Sequence, residues 1–223
     1  MKLKHWIRFL IHRDSTWHGQ FKALAPLLLD PPGIPRWVVD VGANDGFFSS
    51  NSYPFLARGW RGLLIEPHPS AHAKATRLHR RRTGVAVIQA GCSDSEGTLT
   101  LCSQPDDEGG SLARLGTPNG GPAPHSGIGG SIGIAQVRIH RLERLLEENR
   151  VPVGFDLLSI DTEGHDLRVL MGANLDRFRP TVIITETSEE DQPKREFLGQ
   201  QGYRLHLDLE FDSIWIRGGT VSG

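Results

Sequence analysis

The stretch RWVVDVGANDGFFSSNSY, Arg36 to Tyr53, decides the fold of this chain. An apolar run ends in Asp40, and the chain then turns through Gly42 and Gly46 into a segment with helical potential. A glycine-rich turn after the first strand of a sheet lets a ligand come close to the backbone, and the helix N-terminus that follows offers free N–H groups. The stretch therefore predicts a ligand site at the end of a buried strand.

The next apolar run, GLLIEPHP, ends in Glu66 and indicates what that ligand is. An acid at the end of the second strand can accept hydrogen bonds from both hydroxyls of a ribose. Dinucleotide sites favour G-x-G-x-x-G, whereas here Asp40 and Asp45 place negative charge where a pyrophosphate would lie. This charge favours S-adenosylmethionine, a ligand with an amino group and a sulfonium.

Outward from these motifs, β-rich apolar runs alternate with helical stretches, a pattern typical of an α/β sheet covered on both faces. The last two strands follow each other closely, which predicts an antiparallel pair. The expected strands are Trp37–Val41, Gly62–Glu66, Val85–Ala90, Thr98–Cys102, Phe155–Asp161, Thr181–Glu186, Tyr203–Leu207 and Ser213–Ile216. The expected helices are Phe47–Ala57, Ser70–Arg82, Leu142–Asn149, Asp166–Met171 and Glu189–Gln201.

The chain of 223 residues fits one main domain, expected over residues 36–218, with a helical or lid segment over residues 1–35. The segment MKLKHWIRFLIHRDS is too short and too charged to span a bilayer and lacks a signal-peptide pattern. It either packs on the domain, which we favour, or touches a membrane surface. With two cysteines and a net charge of -1, we expect a soluble, cytoplasmic protein that binds no nucleic acid and does not insert stably into a membrane.

The region from about residue 103 to 133 breaks the alternating pattern. It is dense in Gly, Pro and Ser, which predicts a mobile loop or lid that contributes no core.

Four boxes in this order carry a resemblance to a known family: VVDVGANDGFFS, GLLIEPHP, AGCSDSEGTLTL and FDLLSIDTEGHDLRVLMG. Together they resemble the FkbM-type S-adenosylmethionine-dependent methyltransferases, from about Trp37 to about Ile216. The resemblance implies a Rossmann-like class I methyltransferase with a mostly parallel seven-stranded sheet, a C-terminal antiparallel hairpin and helices on both faces. It also implies methyl transfer, most often to an oxygen of a sugar or natural-product scaffold.

Carried onto this sequence, the resemblance implies a set of cofactor contacts. The methionine part is expected beside Asp40, Gly42, Ala43, Asn44 and Gly46, the ribose beside Glu66 and Pro67, and the adenine beside Cys92, Ser93 and Asp94. Ser50 and Asn51, which follow the glycine turn, are expected to reach the cofactor as well.

The box LLSIDTEGHD should carry the chemistry, because ligands bind at the carboxyl ends of the strands in open α/β sheets. A hydroxyl acceptor must be aligned with the methyl group and must lose its proton as the new bond forms. Asp161 and His165 are the candidate proton acceptors, and Glu163 is a further catalytic candidate that could instead cap the helix or pair with Arg168. Asp166 is expected to cap the helix that it precedes.

A metal-assisted variant is also compatible with the sequence. Asp161 and Glu186 end neighbouring strands and could together hold Mg²⁺, which would lower the pKa of the acceptor hydroxyl. We place this variant below the metal-free mechanism.

Two other classes of function stay open. One is a nicotinamide-dependent oxidoreductase on the same sheet, and the other is a non-catalytic methyltransferase-like binding module. The expected partner is a small-molecule or glycan acceptor, and the sequence leaves its identity and the oligomeric state open.

Overall fold

The computed structural model describes residues 15–16, 19–29, 36–103, 114–116, 132–187 and 191–218. Most of the expected lid segment and of the expected loop at about 103–133 therefore lies outside the described residues, as do Glu189 and Glu190 of the last expected helix. No helix within the described ranges is long and apolar enough to cross a bilayer.

The described residues form helices and strands in the following order. The helices are α1 (Gln20–Leu28), α2 (Tyr53–Leu56), α3 (Pro69–His79), α4 (Leu142–Glu148), α5 (Asp166–Met171), α6 (Leu175–Phe178) and α7 (Asp191–Gln200). The strands are β1 (Trp37–Val41), β2 (Arg61–Ile65), β3 (Val85–Ile88), β4 (Gly91–Ser93), β5 (Gly97–Ser103), β6 (Arg114–Leu115), β7 (Ile132–Arg141), β8 (Leu157–Ile160), β9 (Val182–Glu186), β10 (Tyr203–Asp208) and β11 (Asp212–Arg217).

The large sheet confirms the fold class expected from the sequence. Its seven strands run in the order β3–β2–β1–β8–β9–β11–β10. Strands β1, β2, β3, β8 and β9 pair in parallel, whereas β11 is antiparallel to both β9 and β10. The seven strands of this sheet all overlap strands that the sequence predicts, and β10 and β11 form the expected C-terminal hairpin.

Helices cover both faces of the large sheet, so its central strands are buried on both sides. In β1 all five residues are buried. Val39 belongs to a core shared with α4 to α7, whereas the adjacent Val38 belongs to a second core shared with α1 and α2. The alternation of a strand therefore sends successive side chains into opposite cores, as a doubly covered parallel sheet requires.

The helix expected over Phe47–Ala57 is much shorter than predicted. The carboxylate of Asp45 accepts hydrogen bonds from the backbone N–H groups of Phe47 and Phe48, and Ser49 has a positive φ of 56°. This irregular backbone cannot continue a helix, so α2 begins only at Tyr53.

A second, four-stranded sheet was not expected from the sequence. Its order is β4–β7–β5–β6, and the expected strand Thr98–Cys102 lies in it as β5. Leu115 in β6 joins the core of this small sheet, so the expectation that residues 103–133 contribute no core is wrong at this residue. In β7 the buried residues Val137 and Ile139 alternate with the exposed Arg138, a period of two that is visible in the sequence.

Candidate active site

A cavity of about 260 Å³ opens at the carboxyl ends of β1, β2 and β8. Parallel strands bring their carboxyl ends to one edge of a sheet, and this edge is where ligands bind in such folds. The cavity is lined by Asp40, Val41, Gly42, Ala43, Asn44, Phe48, Ser49, Ser50, Asn51, Glu66, Pro67, Ala90, Gly91, Cys92, Leu115, Ser159, Asp161, Thr162 and Glu163. Five of the predicted site residues lie outside this wall: Gly46, Ser93, Asp94, His165 and the metal candidate Glu186.

Gly42 lets the turn after β1 pack directly against the backbone at the end of β8. Its φ is +85°, and a Cβ atom at this position would lie 1.8 Å from the carbonyl oxygen of Asp161. The N–H groups of Gly42 and Ala43 both donate to the carbonyl oxygen of Ile65, at 2.9 and 3.2 Å. Glycine is therefore required here both by backbone conformation and by space, and the turn forms the floor of the cavity.

Glu66 is fixed by the backbone and keeps hydrogen-bonding capacity for a ligand. Its side chain is buried, and its Oε2 accepts the N–H of Asn44 at 2.8 Å while its Oε1 accepts the N–H of His68 at 2.7 Å. Burial raises the pKa of Glu66 to about 7, with these two hydrogen bonds opposing the rise and the charge of Asp40 adding to it. Because each carboxylate oxygen can accept two hydrogen bonds, both oxygens can still accept from a diol in the cavity.

Asp40 and Asn51 form a polar corner of the same wall. The hydroxyl of Ser52 donates to Asp40 at 2.5 Å, and burial raises the pKa of Asp40 above its ordinary value. The amide nitrogen of Asn51 donates to the hydroxyl of Ser159 at 3.3 Å, whereas the buried Oδ1 of Asn51 has no hydrogen-bond partner among the residues that the structure describes. A buried acceptor without a partner is costly, so this corner fits a ligand that donates hydrogen bonds, such as an ammonium group.

The opposite part of the wall is apolar. It is formed by Ala90, Gly91, Cys92 and Leu115, with Cys92 and Ala90 each about 1% exposed. Leu115 was missed from the sequence because its two-residue strand lies among Gly and Pro residues that show no periodicity. An apolar slot of this kind suits a flat aromatic base.

Ser93 and Asp94 lie behind this apolar wall rather than in it. The Ser93 hydroxyl lies 3.1 Å from Oδ1 of Asp94 and 3.0 Å from Nε2 of His165, and Asp94 also pairs with Arg168 at 3.0 Å. Burial and the nearby Arg168 lower the pKa of His165, with Asp94 opposing the change. These contacts connect β4 to the start of α5 and place His165 away from the cavity.

Asp45 and Gly46 serve the turn and not the cavity wall. The carboxylate of Asp45 is used by the two backbone N–H groups that shorten the following helix. The charge argument against a pyrophosphate therefore depends on Asp40, and it is wrong for Asp45. Gly46 has a φ of +75°, and a Cβ atom there would lie 3.0 Å from Nε2 of His79 on α3.

The open end of the cavity is acidic. Ligand atoms of Asp161, Glu163 and Glu186 all lie within 4.8 Å of one another. Asp161 is surrounded by protein on most sides, although its carboxylate is open to solvent through the cavity mouth. This environment and the negative charges of Glu186, Asp166 and the other nearby acids raise the pKa of Asp161 well above its ordinary value. Carboxylates in this arrangement could hold a hard cation, and the Mg²⁺ site expected at Asp161 and Glu186 stays a prediction.

Asp166 does not cap its helix, contrary to the expectation. Its Oδ1 accepts from the N–H and the hydroxyl of Thr162, at 3.0 and 2.6 Å, and its Oδ2 accepts the N–H of Glu186 at 3.0 Å. The buried Nζ of Lys194 on α7 lies 3.9 Å from Oδ2 of Asp166 and donates to the carbonyl oxygen of Glu186. Asp166 and Lys194 thus tie the loop after β8, the end of β9 and α7 together directly behind the acidic mouth.

Comparisons with known proteins agree with this geometry. The model of the methyltransferase FkbM domain matches residues 40–205 of the chain. The chain is 30% identical over 200 residues to methyltransferase sdnD of Sordaria araneosa, with 77% of this chain and 75% of that protein covered.

Two solved structures show the same fold at low identity. The methyltransferase FkbM of Methylobacillus flagellatus KT is 15% identical with a TM-score of 0.50 over 81% of this chain, which spans 43% of the length of that protein. A putative rRNA-methylase of Clostridium thermocellum is 12% identical with a TM-score of 0.50, over 90% of this chain and 95% of that one. At these identities the likeness concerns the fold alone. The family match over most of the chain, together with the glycine turn and the acid after β2, shows that this chain belongs to the FkbM methyltransferase family.

Proposed function

We propose that this protein transfers a methyl group from S-adenosylmethionine to a hydroxyl of a sugar, glycan or natural-product acceptor. One observation carries the proposal. A single cavity combines a buried carboxylate that is open to a diol, a buried amide oxygen that lacks a partner, and an acidic mouth at the end of β8. When bound, S-adenosylmethionine supplies a methyl group on a positively charged sulfur, from which it can pass to a nucleophile.

The wall residues fit the three parts of this cofactor. Glu66 accepts from the two ribose hydroxyls, and the carboxylate of Asp40 with Oδ1 of Asn51 accepts from the amino group. The apolar surface of Cys92 and Leu115 receives the adenine. The arrangement gives the ribose hydroxyls and the amino group of the ligand their acceptors and leaves the apolar part of the wall to its base.

Asp161 is the proton acceptor in this proposal. Its carboxylate lies at the mouth where a second substrate would enter, and its N–H is fixed by the carbonyl oxygen of Val41 at 2.9 Å. As the new O–C bond forms, the hydroxyl proton passes to a carboxylate oxygen of Asp161. Burial, together with nearby negative charges, raises the pKa of this group, so that its ionised form is a stronger base than an ordinary carboxylate. We assign His165 no part in proton transfer, because its Nε2 contacts Ser93 behind the cavity wall.

The same mouth favours an uncharged or cationic acceptor over nucleic acid. Asp161, Glu163 and Glu186 concentrate negative charge where the acceptor must approach. A phosphate backbone would be repelled there, and the net charge of -1 offers no overall compensation. The acceptor is therefore proposed to be a small molecule or glycan.

Calorimetric titration with S-adenosylhomocysteine, the demethylated product, tests the cofactor assignment. Saturable binding to the wild type is expected, with at least tenfold weaker binding for Glu66→Ala. The matched control is Glu196→Ala, which removes an exposed carboxylate on α7. Absence of binding to the folded wild type, or stronger binding of NAD, would overturn the proposal and favour the oxidoreductase alternative.

Catalysis needs a separate test. The wild type is incubated with labelled S-adenosylmethionine and fractionated glycan or metabolite extracts, and Asp161→Asn is run in parallel. Label in one acceptor with the wild type and its loss of at least 100-fold with Asp161→Asn are expected. Equal turnover by the variant would remove Asp161 from the mechanism, and binding of the cofactor without transfer to any fraction would favour the binding-module alternative.

A further inference from the structure

The turn from Gly42 to Gly46 contacts a buried histidine, His79, that has no role in the proposed function. His79 is the last residue of α3 and is 2% exposed. Its Nε2 lies 3.3 Å from the carbonyl oxygen of Gly46. Neither residue lines the cavity, yet both lie directly behind it.

The contact defines which ring nitrogen carries the proton. A carbonyl oxygen can only accept a hydrogen bond, so Nε2 of His79 must be the donor. The other nitrogen, Nδ1, is buried and has no hydrogen-bond partner within the described part of the chain. Burial lowers the pKa of His79 to about 4, and Arg82 adds to this effect while the bond to Gly46 opposes it. At neutral pH the ring is therefore a neutral imidazole protonated on Nε2.

The turn and α3 are tightly packed at Gly46. A Cβ atom on Gly46 would lie 3.0 Å from Nε2 of His79 and 3.3 Å from the Cβ of Ala75, one helical turn earlier on α3. Any other residue would push the turn and the helix apart by a few tenths of an ångström and would also have to adopt the positive φ of +75°. This contact explains why a glycine stands at a position that does not face the ligand cavity.

The position of Gly46 is transmitted to the ribose site through backbone contacts. The N–H of Gly46 donates to the carbonyl oxygen of Ala43 at 3.0 Å, which closes a tight turn over the residues between them. At the tip of this turn Asn44 has a φ of +51° and donates its N–H to Glu66 at 2.8 Å. A shift of Gly46 therefore displaces one of the two backbone donors that hold Glu66.

We propose that His79 is a positioning residue for cofactor binding: its Nε2–H anchors the carbonyl of Gly46, so that Asn44 holds Glu66 in the orientation that accepts the ribose hydroxyls. The inference rests on the proposed function and adds to it a residue that never touches the ligand.

Calorimetry with S-adenosylhomocysteine on two variants tests the hydrogen bond. His79→Leu fills a similar space without a donor and is expected to bind about tenfold more weakly, whereas His79→Gln keeps an N–H donor and is expected to stay within threefold of the wild type. The matched control is His72→Leu, because His72 lies on the same helix and is half-buried. This variant should leave the affinity unchanged. Equal affinities for His79→Leu and the wild type would overturn the proposal.

A double-variant cycle separates positioning from simple loss of stability. If His79 acts through Glu66, His79→Leu should lose less than twofold further affinity in a Glu66→Gln background. A full tenfold loss in that background would show that His79 acts by another route and would overturn the proposal.

Nitrogen NMR of the His79 ring in the wild type measures which ring nitrogen carries the proton. This measurement depends neither on the folding of the variants nor on cofactor binding. The neutral ring protonated on Nε2 is expected at pH 7, and a ring protonated on Nδ1 would overturn the proposal. If this signature is present and S-adenosylhomocysteine fails to bind, the cofactor assignment fails while the contact itself stands.

Discussion

Two buried carboxylates, Glu66 and Asp166, are anchored in nearly the same way and end with different roles. Each accepts hydrogen bonds from two backbone N–H groups on separate segments of the chain. Burial raises the pKa of both carboxyl groups, to about 6 for Asp166 and about 7 for Glu66. Asp166 also accepts from the hydroxyl of Thr162, and the nearby ammonium of Lys194 opposes the rise in its pKa, whereas the charge of Asp40 adds to the rise at Glu66. The difference teaches that Glu66, which has fewer hydrogen-bond partners within the protein, is available to a ligand, whereas Asp166, which has more, stabilises the fold.

The largest effect is expected where the carboxylate of Asp166 is removed. Asp166→Ala removes a buried carboxylate that accepts three hydrogen bonds and lies 3.9 Å from the buried ammonium of Lys194, which should lower the free energy of unfolding by about 3–5 kcal/mol. Urea unfolding measures this, and Asp166→Asn combined with Lys194→Met, which removes both charges and keeps an acceptor oxygen, should recover at least half of the loss. If Asp166→Ala instead keeps full stability but loses S-adenosylhomocysteine binding, the division of roles between the two carboxylates is wrong.

The glycine turn should show the next largest effect. Gly42→Ala combines an unfavourable backbone conformation with a direct overlap on the backbone of Asp161, so a loss of about 3 kcal/mol or more is expected. Gly59→Ala is the matched control, because Gly59 has nearly the same φ, +87°, and nothing within 4 Å of the added Cβ. The control should lose only about 1–2 kcal/mol in urea unfolding. Equal losses at both glycines would mean that the close approach to β8 has no energetic role.

Glu66 should affect binding and its dependence on pH. Ribose hydroxyls donate to the ionised carboxylate, and burial raises the pKa of Glu66 to about 7, so binding should release a proton. Affinity for 5′-methylthioadenosine, which lacks the titrating amino group, should therefore rise about tenfold between pH 6 and pH 8 and level off above the pKa. Glu66→Gln should remove this dependence and lower the free energy of unfolding by about 1–3 kcal/mol, because the amide nitrogen cannot accept the backbone N–H that one carboxylate oxygen accepts in the wild type. A pH dependence that survives in Glu66→Gln would place the titrating group elsewhere.

The smallest effect is expected from removal of metal ions. Because Asp161 can accept the proton itself, methyl transfer in excess EDTA should stay within twofold of the untreated rate. A loss that added Mg²⁺ restores would favour the metal-assisted variant at Asp161 and Glu186 instead.

The sequence predicts well those features that depend on local order. The apolar run into Asp40, the turn at Gly42, the acid Glu66 and the acid Asp161 each follow a strand directly. Their place at one sheet edge then follows from the parallel arrangement of the strands. Ser159 could have been found in the same way, since it is a polar residue inside the buried run LLSI of β8.

The features that were missed depend on contacts between distant parts of the chain. Gly46 owes its identity to His79 on α3, and Asp166 finds Lys194 on α7. Asp166 looks like an ordinary capping acid in the sequence, because the local pattern does not show that the N–H of Glu186 lies within its reach in the folded protein. Leu115 was missed for a related reason, since a two-residue strand carries no periodicity.

Leu115 belongs at once to the core of the small sheet and to the wall of the cavity, which couples the two. A ligand that packs on this side chain must favour the folded small sheet, and by thermodynamic reciprocity a tighter small sheet must favour the ligand. Amide exchange in β5 and β7 should then slow when the cavity is filled. Redesign of the adenine end of the pocket cannot proceed independently of the packing partners of Leu115, among them Val137 and Ile139.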